Sequence, residues 1–123
     1  MKLQEILHVK GSSVYTIGPH AMLADVVQRL VQYNCGSLVV CQGDRMVGII
    51  TEHDILQACA LKQGPLEELP VQRFMTSNPP TGVSADQVGH VMGLMTENHI
   101  RHLPIMEDGK LAGIISIGDV VKA

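Results

Sequence analysis

The chain has 123 residues, 46% of them hydrophobic and 17% charged, so one compact domain with a buried core is expected and disorder is not. A net charge of −3, two Tyr, one Phe and no Trp leave neither a basic stripe nor stacking aromatics, which argues against nucleic acid as a partner. No apolar run approaches the roughly 18 residues of a membrane span, Met1–Glu5 opens without a secretion signal, and the odd set Cys35, Cys41 and Cys59 argues against a disulfide framework, so the expectation is a protein of the reducing cytoplasm with no membrane role.

In chain order, Leu3–Leu7 reads as a short apolar helical turn, and Ser13–Ile17 as a short strand. Leu23, Val26, Val27, Leu30 and Val31 fall at helical spacing and predict an amphipathic helix. Ser37–Cys41 is an apolar, β-branched run and reads as a buried strand. Gln42–Arg45 is a turn, Met46–Ile50 the returning strand and Glu52–Ala60 a helix. The stretch 61–80 carries five of the glycines and prolines that break regular structure: Gly64, Pro65, Pro70, Pro79 and Pro80. Within it, Val71–Met75 resembles Leu3–Leu7, and each of these turns is expected to pack on the neighbouring repeat.

Ser84-Ala85-Asp86-Gln87 has the pattern of a capping box, followed by a helix face of Val88, Val91, Met92 and Met95. His102–Met106 is expected as a strand, with Pro104 marking an edge or a local break in pairing. Glu107–Lys110 is a hairpin turn with a strong Asp-Gly signal, Leu111–Ile115 the returning strand, and Gly118–Ala123 the last helix.

The two halves are copies. A shift of 65 positions lays Thr16–Leu56 over Thr81–Val121 without a gap, and Thr16, Val26, Leu38, Gly48 and Asp54 meet Thr81, Val91, Leu103, Gly113 and Asp119. A repeat this short cannot bury its own apolar face, so two copies are expected to pack together. The expected division is a first repeat over 1–61, a linker over 62–70 and a second repeat over 71–123.

The strongest local signal is Gly48-Ile49-Ile50-Thr51-Glu52-His53-Asp54 and its copy Gly113-Ile114-Ile115-Ser116-Ile117-Gly118-Asp119. Each runs from an apolar strand into a helix, with a hydroxyl at the junction and Asp three residues on. Taken alone, that is a helix cap. The same geometry suits a nucleotide: free N–H groups and a hydroxyl for phosphate, and a carboxylate for vicinal ribose hydroxyls. The hydroxyl and the Asp recur in both copies while the intervening residues change. His99 and His102, with Glu97 near them, have a weak spacing for a metal and no Cys beside them, so none is expected. No nucleophile, base and orienting acid assemble from the local patterns.

The tandem Gly-Ile-Ile-[Ser/Thr]-x-x-Asp pattern, together with Arg101–Ile105 and Glu107–Ser116, resembles a CBS domain pair, or Bateman module, over nearly the whole chain. The resemblance implies an α+β fold of two tandem β-α-β-β-α repeats packed about a pseudo-two-fold axis, with adenine nucleotides held in clefts between the repeats. It implies that Asp54 and Asp119 hold ribose hydroxyls, that Thr51 and Ser116 lie by the phosphate, and that Ile17, Leu38, Val83 and Leu103 flank the adenine. Arg101 and His102 would meet phosphates in one site. Gly36 and Ser37 stand at the matching positions, so the two sites are expected to be unequal. The implied ligand is AMP, ADP, ATP, NAD(H) or S-adenosylmethionine, acting as a regulatory signal. No cofactor or catalytic activity is expected, whereas a homodimer through helix faces and an unidentified regulated protein are. The alternatives are a ligand-free protein interaction module and, behind it, an enzyme acting on a nucleotide.

Overall fold

The computed structural model describes residues 1–123. The elements are α1 (Leu3–Lys10), β1 (Thr16–Ile17), α2 (Leu23–Tyr33), β2 (Ser37–Gln42), β3 (Arg45–Thr51), α3 (Glu52–Ala60), a 3-10 turn (Leu66–Glu68), α4 (Val71–Phe74), β4 (Thr76–Ser77), α5 (Val88–Asn98), β5 (His102–Glu107), β6 (Lys110–Ser116) and α6 (Ile117–Lys122). This is the mixed helix and strand content expected of an α+β chain.

Two compact units emerge. One is Tyr15–Asn78; the other joins Met1–Val14 to Pro79–Ala123. The repeats follow one another along the chain, but their opening helices are exchanged. Leu3 and Ile6 of α1 are buried with Val91, Met95, Leu103, Ile105, Ile115 and Val120. Val71 of α4 is buried with Ile17, Leu23, Val26, Leu38, Val40, Ile50, Ile55 and Ala58. Each short helix is too small to bury its own apolar side chains and completes the other repeat's core, in line with the packing expected of them.

In the Tyr15–Asn78 unit the sheet order is β1-β2-β3-β4. β1 runs parallel to β2, while β3 is antiparallel to both β2 and β4. The β2–β3 hairpin turns with positive φ at Gly43 alone, φ 62°, as a type II′ turn requires. Leu38, Val40 and Ile50 lie under α2 and α3, whose apolar stripes supply Leu23, Val26, Ile55 and Ala58.

The other unit repeats the hairpin, with β5 and β6 antiparallel and the register His102↔Ser116 in place of Ser37↔Thr51. Even the bulge recurs, between Val40 and Cys41 and between Ile105 and Met106. The turn differs: Asp108 and Gly109 both have positive φ, 51° and 76°, the type I′ geometry that Asp-Gly favours. The opening strand that the β-α-β-β-α pattern implies for the second repeat shrinks to a single parallel bridge, Gly82↔Ile105. Pro104 explains the loss. Its counterpart Val39 donates its N–H to Tyr15 O at 3.1 Å, tying β1 to β2, and proline has no N–H to donate.

The helix start expected at Ser84 is not where α5 begins. Gln87 is the residue before its first turn, and it makes no side-chain cap. The Ser84 hydroxyl and N–H instead donate to the Glu107 carboxylate. The free N–H of Val88 is satisfied by Met1 O at 2.9 Å, and the equivalent Leu23 N–H by Leu69 O at 2.8 Å. Backbone from the segment before each short helix thus does the capping that a side chain would otherwise do.

Candidate functional site

Both strand-to-helix turns form capping boxes. Asp54 Oδ2 accepts from Thr51 N at 2.8 Å and from Thr51 Oγ1 at 3.1 Å, and Asp54 N donates back to Thr51 Oγ1 at 3.4 Å. Asp119 Oδ2 accepts from Ser116 N at 2.8 Å, and Asp119 N donates to Ser116 Oγ at 3.1 Å. The cap predicted from the residues is therefore present in both copies. It does not consume the groups a ligand needs, because the capping bonds use Oδ2 and leave Oδ1 as an acceptor. All four residues are partly exposed.

The glycines that open the two motifs have a steric task. A Cβ on Gly48 would lie 2.7 Å from Thr76 O and 2.8 Å from Met75 Sδ, and one on Gly113 would lie 2.8 Å from Leu7 Cδ2. The missing Cβ lets the segment carrying the exchanged short helix press against the strand that leads into each turn.

The neighbouring strand start lies beside each turn. Glu52 N donates to Gly36 O at 3.0 Å, and Ile117 N donates to Arg101 O at 2.8 Å. Gly36-Ser37 therefore faces the first turn, and Arg101-His102 the second. Arg101 is exposed and His102 partly so. Of the residues expected to flank an adenine, Val83 keeps 45% of its surface exposed. Leu38 and Leu103 are wholly buried and Ile17 nearly so, as members of the two cores. His99 ends α5 in a left-handed conformation, φ 54°, the counterpart of Asn34 at the end of α2. No group of three or more His, Cys, Asp or Glu converges on a metal-sized site.

One residue at the second turn was not anticipated. Lys10 Nζ, at the end of α1, donates to Asp119 Oδ2 at 2.7 Å and to Ile114 O at 2.8 Å. Burial by itself would push the Asp119 carboxyl up, but the bonds from Lys10 and from the Ser116 N–H and hydroxyl outweigh it and hold the carboxyl below its ordinary value. The contact spans 109 positions of sequence, and no local pattern announces it. In the other unit, the edge of β3 at Gly48 and Ile49 is occupied by strand β4.

The fold is shared with known proteins. The CBS domain model matches twice, over residues 8–61 and 71–123. A 17.7 kDa protein of Acidianus ambivalens is 36% identical over 97% of this chain and 72% of its own. Across the first four curated relatives the chain spans between 50% and 77% of their length. A solved CBS-domain protein of Agrobacterium tumefaciens superposes with a TM-score of 0.95 at 34% identity, covering 99% of this chain and 98% of that one. A CBS-domain protein of Pyrobaculum aerophilum, solved as a complex with AMP, superposes with a TM-score of 0.86 at 26% identity, covering 97% and 89%.

Proposed function

The chain belongs to the CBS-domain family, and from that premise we propose that it is a regulatory module whose two strand-to-helix turns each take an adenine nucleotide. The observation that carries this reading is the duplicated turn. Hydroxyl, backbone N–H and carboxylate stand in the same bonded arrangement 65 positions apart, with one carboxylate oxygen left over in each. Asp54 and Asp119 accept from ribose hydroxyls through Oδ1. Thr51 and Ser116 lie by the phosphate, Arg101 adds positive charge and His102 an imidazole at the second turn only, and Val83 offers an exposed apolar surface to the base. A relative solved with AMP supports the choice of ligand class; ATP, ADP, NAD(H) and S-adenosylmethionine present the same adenosine. A ligand that binds one conformation more tightly shifts the population toward it, and a partner protein reads that shift.

The direct test is thermal unfolding of the protein with and without AMP. Saturation at a hundred times Kd adds about 2.7 kcal/mol to the folded state, a readily measured shift. The Asp54→Ala/Asp119→Ala double variant should fold and lose the shift. A shift that persists in a folded double variant, or its absence from the starting protein, would overturn the assignment.

Self-association belongs to the same proposal. Leu56 of α3 and Val121 of α6 occupy matching positions and stay 66% and 72% exposed, so apolar helix surface is left for a second copy. Sedimentation should give a dimer at micromolar concentration, reduced to monomer by Leu56→Glu/Val121→Glu; a monomer from the outset would exclude it.

A further inference from the structure

We propose that Lys10 makes the second turn the anion-preferring one of the two, so that it selects a phosphorylated nucleoside over a neutral one, while the first turn discriminates little between them. The inference rests on reading the Ser116–Asp119 turn as a nucleotide site.

The two turns share their backbone frame but differ in charge. Asp119 is ion-paired with the Lys10 ammonium ion, and Asp54 has no ion-pair partner. A carboxylate positioned for ribose hydroxyls also repels the phosphate attached to the same ribose. At the first turn no ion-paired cation offsets that repulsion. At the second, the ammonium ion neutralises Asp119 and brings donors of its own. An ammonium group has three N–H donors; Asp119 Oδ2 and Ile114 O take two of them, and one is left.

The second turn therefore presents a spare ammonium N–H beside a neutralised carboxylate, two features that suit a ribose phosphate.

Lys10 reaches this position because α1 runs eight residues, to Lys10, whereas its counterpart α4 stops after four and the chain continues as β4. The longer helix puts a side chain where the other unit has a paired strand. Leu7, one turn before Lys10, packs on Gly113 and fixes the helix against β6. Both members of the ion pair are partly buried, with side-chain exposures of 30% and 22%, so the ammonium ion is held at the turn while still open to a ligand.

The test isolates the second turn with Asp54→Ala and measures AMP and adenosine by calorimetric titration, with and without Lys10→Met. Methionine keeps most of the apolar stem and removes the charge. A charge-assisted bond of about 1.5–3 kcal/mol corresponds to about tenfold or more in affinity. AMP should therefore bind Asp54→Ala about tenfold or more tightly than adenosine, and Lys10→Met should erase most of that ratio. In Asp119→Ala, which leaves only the first turn, the ratio should be small from the start. A ratio that survives Lys10→Met, or that falls only with Arg101→Ala, would overturn the role of Lys10 while leaving the nucleotide site standing. Binding of neither ligand by the unsubstituted protein or by any variant would overturn the nucleotide reading itself, and this inference with it.

Discussion

The Tyr15–Asn78 unit and the unit formed by residues 1–14 and 79–123 differ most where their hairpins end. Inside, they are copies: the same register, the same bulge, the same capping box and the same buried Leu and Val positions, 65 residues apart. At the edges they diverge. One closes the outer edge of its hairpin with β4 and keeps a two-residue β1 on the other side. The other has a proline and a one-residue bridge on one side and a lysine ammonium ion on the other. The duplicated core is constrained by packing, where a change of one methylene is felt. The edges are constrained only by the need to satisfy backbone polar groups, and a strand and a lysine both do that. Divergence between the two candidate sites therefore enters through the edges and leaves the turns intact.

The largest effect that tests this contrast is at the two motif glycines. The obstacle to a Cβ at Gly48 is the Thr76 carbonyl, which is backbone held in a strand pair, together with the Met75 sulfur. At Gly113 the obstacle is Leu7 Cδ2, the far end of a side chain that can rotate. Gly48→Ala should therefore cost about 1–3 kcal/mol, the usual range for overpacking, and Gly113→Ala clearly less. Urea unfolding of the two variants gives the comparison. Equal costs would show that the edges of the two hairpins are equally rigid, and the contrast drawn between strand and lysine would fail.

The internal copy was legible because it is written twice. The hairpins, the helix Glu52–Ala60 and both Thr/Ser–Asp turns follow from periodicity, turn residues and capping chemistry, all local in sequence. Four features were not legible, because contacts remote in sequence or the facing of a side chain decide them. Ser84 has the pattern of a cap, but Glu107 takes its hydroxyl and Met1 O satisfies the helix start. Pro104 marks an edge or a break in pairing, but the pattern alone does not show that it costs the second repeat its opening strand. Leu38 and Leu103 sit on strands that carry the candidate sites, and sequence alone does not give the face to which a side chain points; both face the cores. Lys10 is the most consequential omission. The apolar turn Leu3–Leu7 is expected to pack on the neighbouring repeat, but that pattern ends at Leu7, whereas the helix runs on to Lys10 and carries its ammonium group to the turn.

The smallest effect concerns that same lysine and depends on pH. The folded-state pKa of Asp119 lies below its ordinary value, and bonds from Lys10 contribute to lowering it. Such a group adds stability above the ordinary aspartate range, near pH 3.9, and that contribution is lost as pH falls through the lower folded value. Lys10→Met removes part of the lowering. Its cost should therefore be present at neutral pH and shrink as the carboxyl protonates. The pair is partly exposed, so the neutral-pH cost should not exceed about 1 kcal/mol and should fall with added salt. The comparison with the first turn sharpens the point: Asp54 has no ion pair to lose, so no single lysine substitution should give its unit the same pH-dependent loss. Unfolding free energies of the protein and Lys10→Met at pH 7 and pH 3 provide the measurement. A cost that is the same at both values would mean that Lys10 stabilises its unit through its aliphatic stem alone. The charge asymmetry between the two turns would then have no energetic consequence in the unliganded protein, and only the AMP-to-adenosine ratio would remain to reveal it.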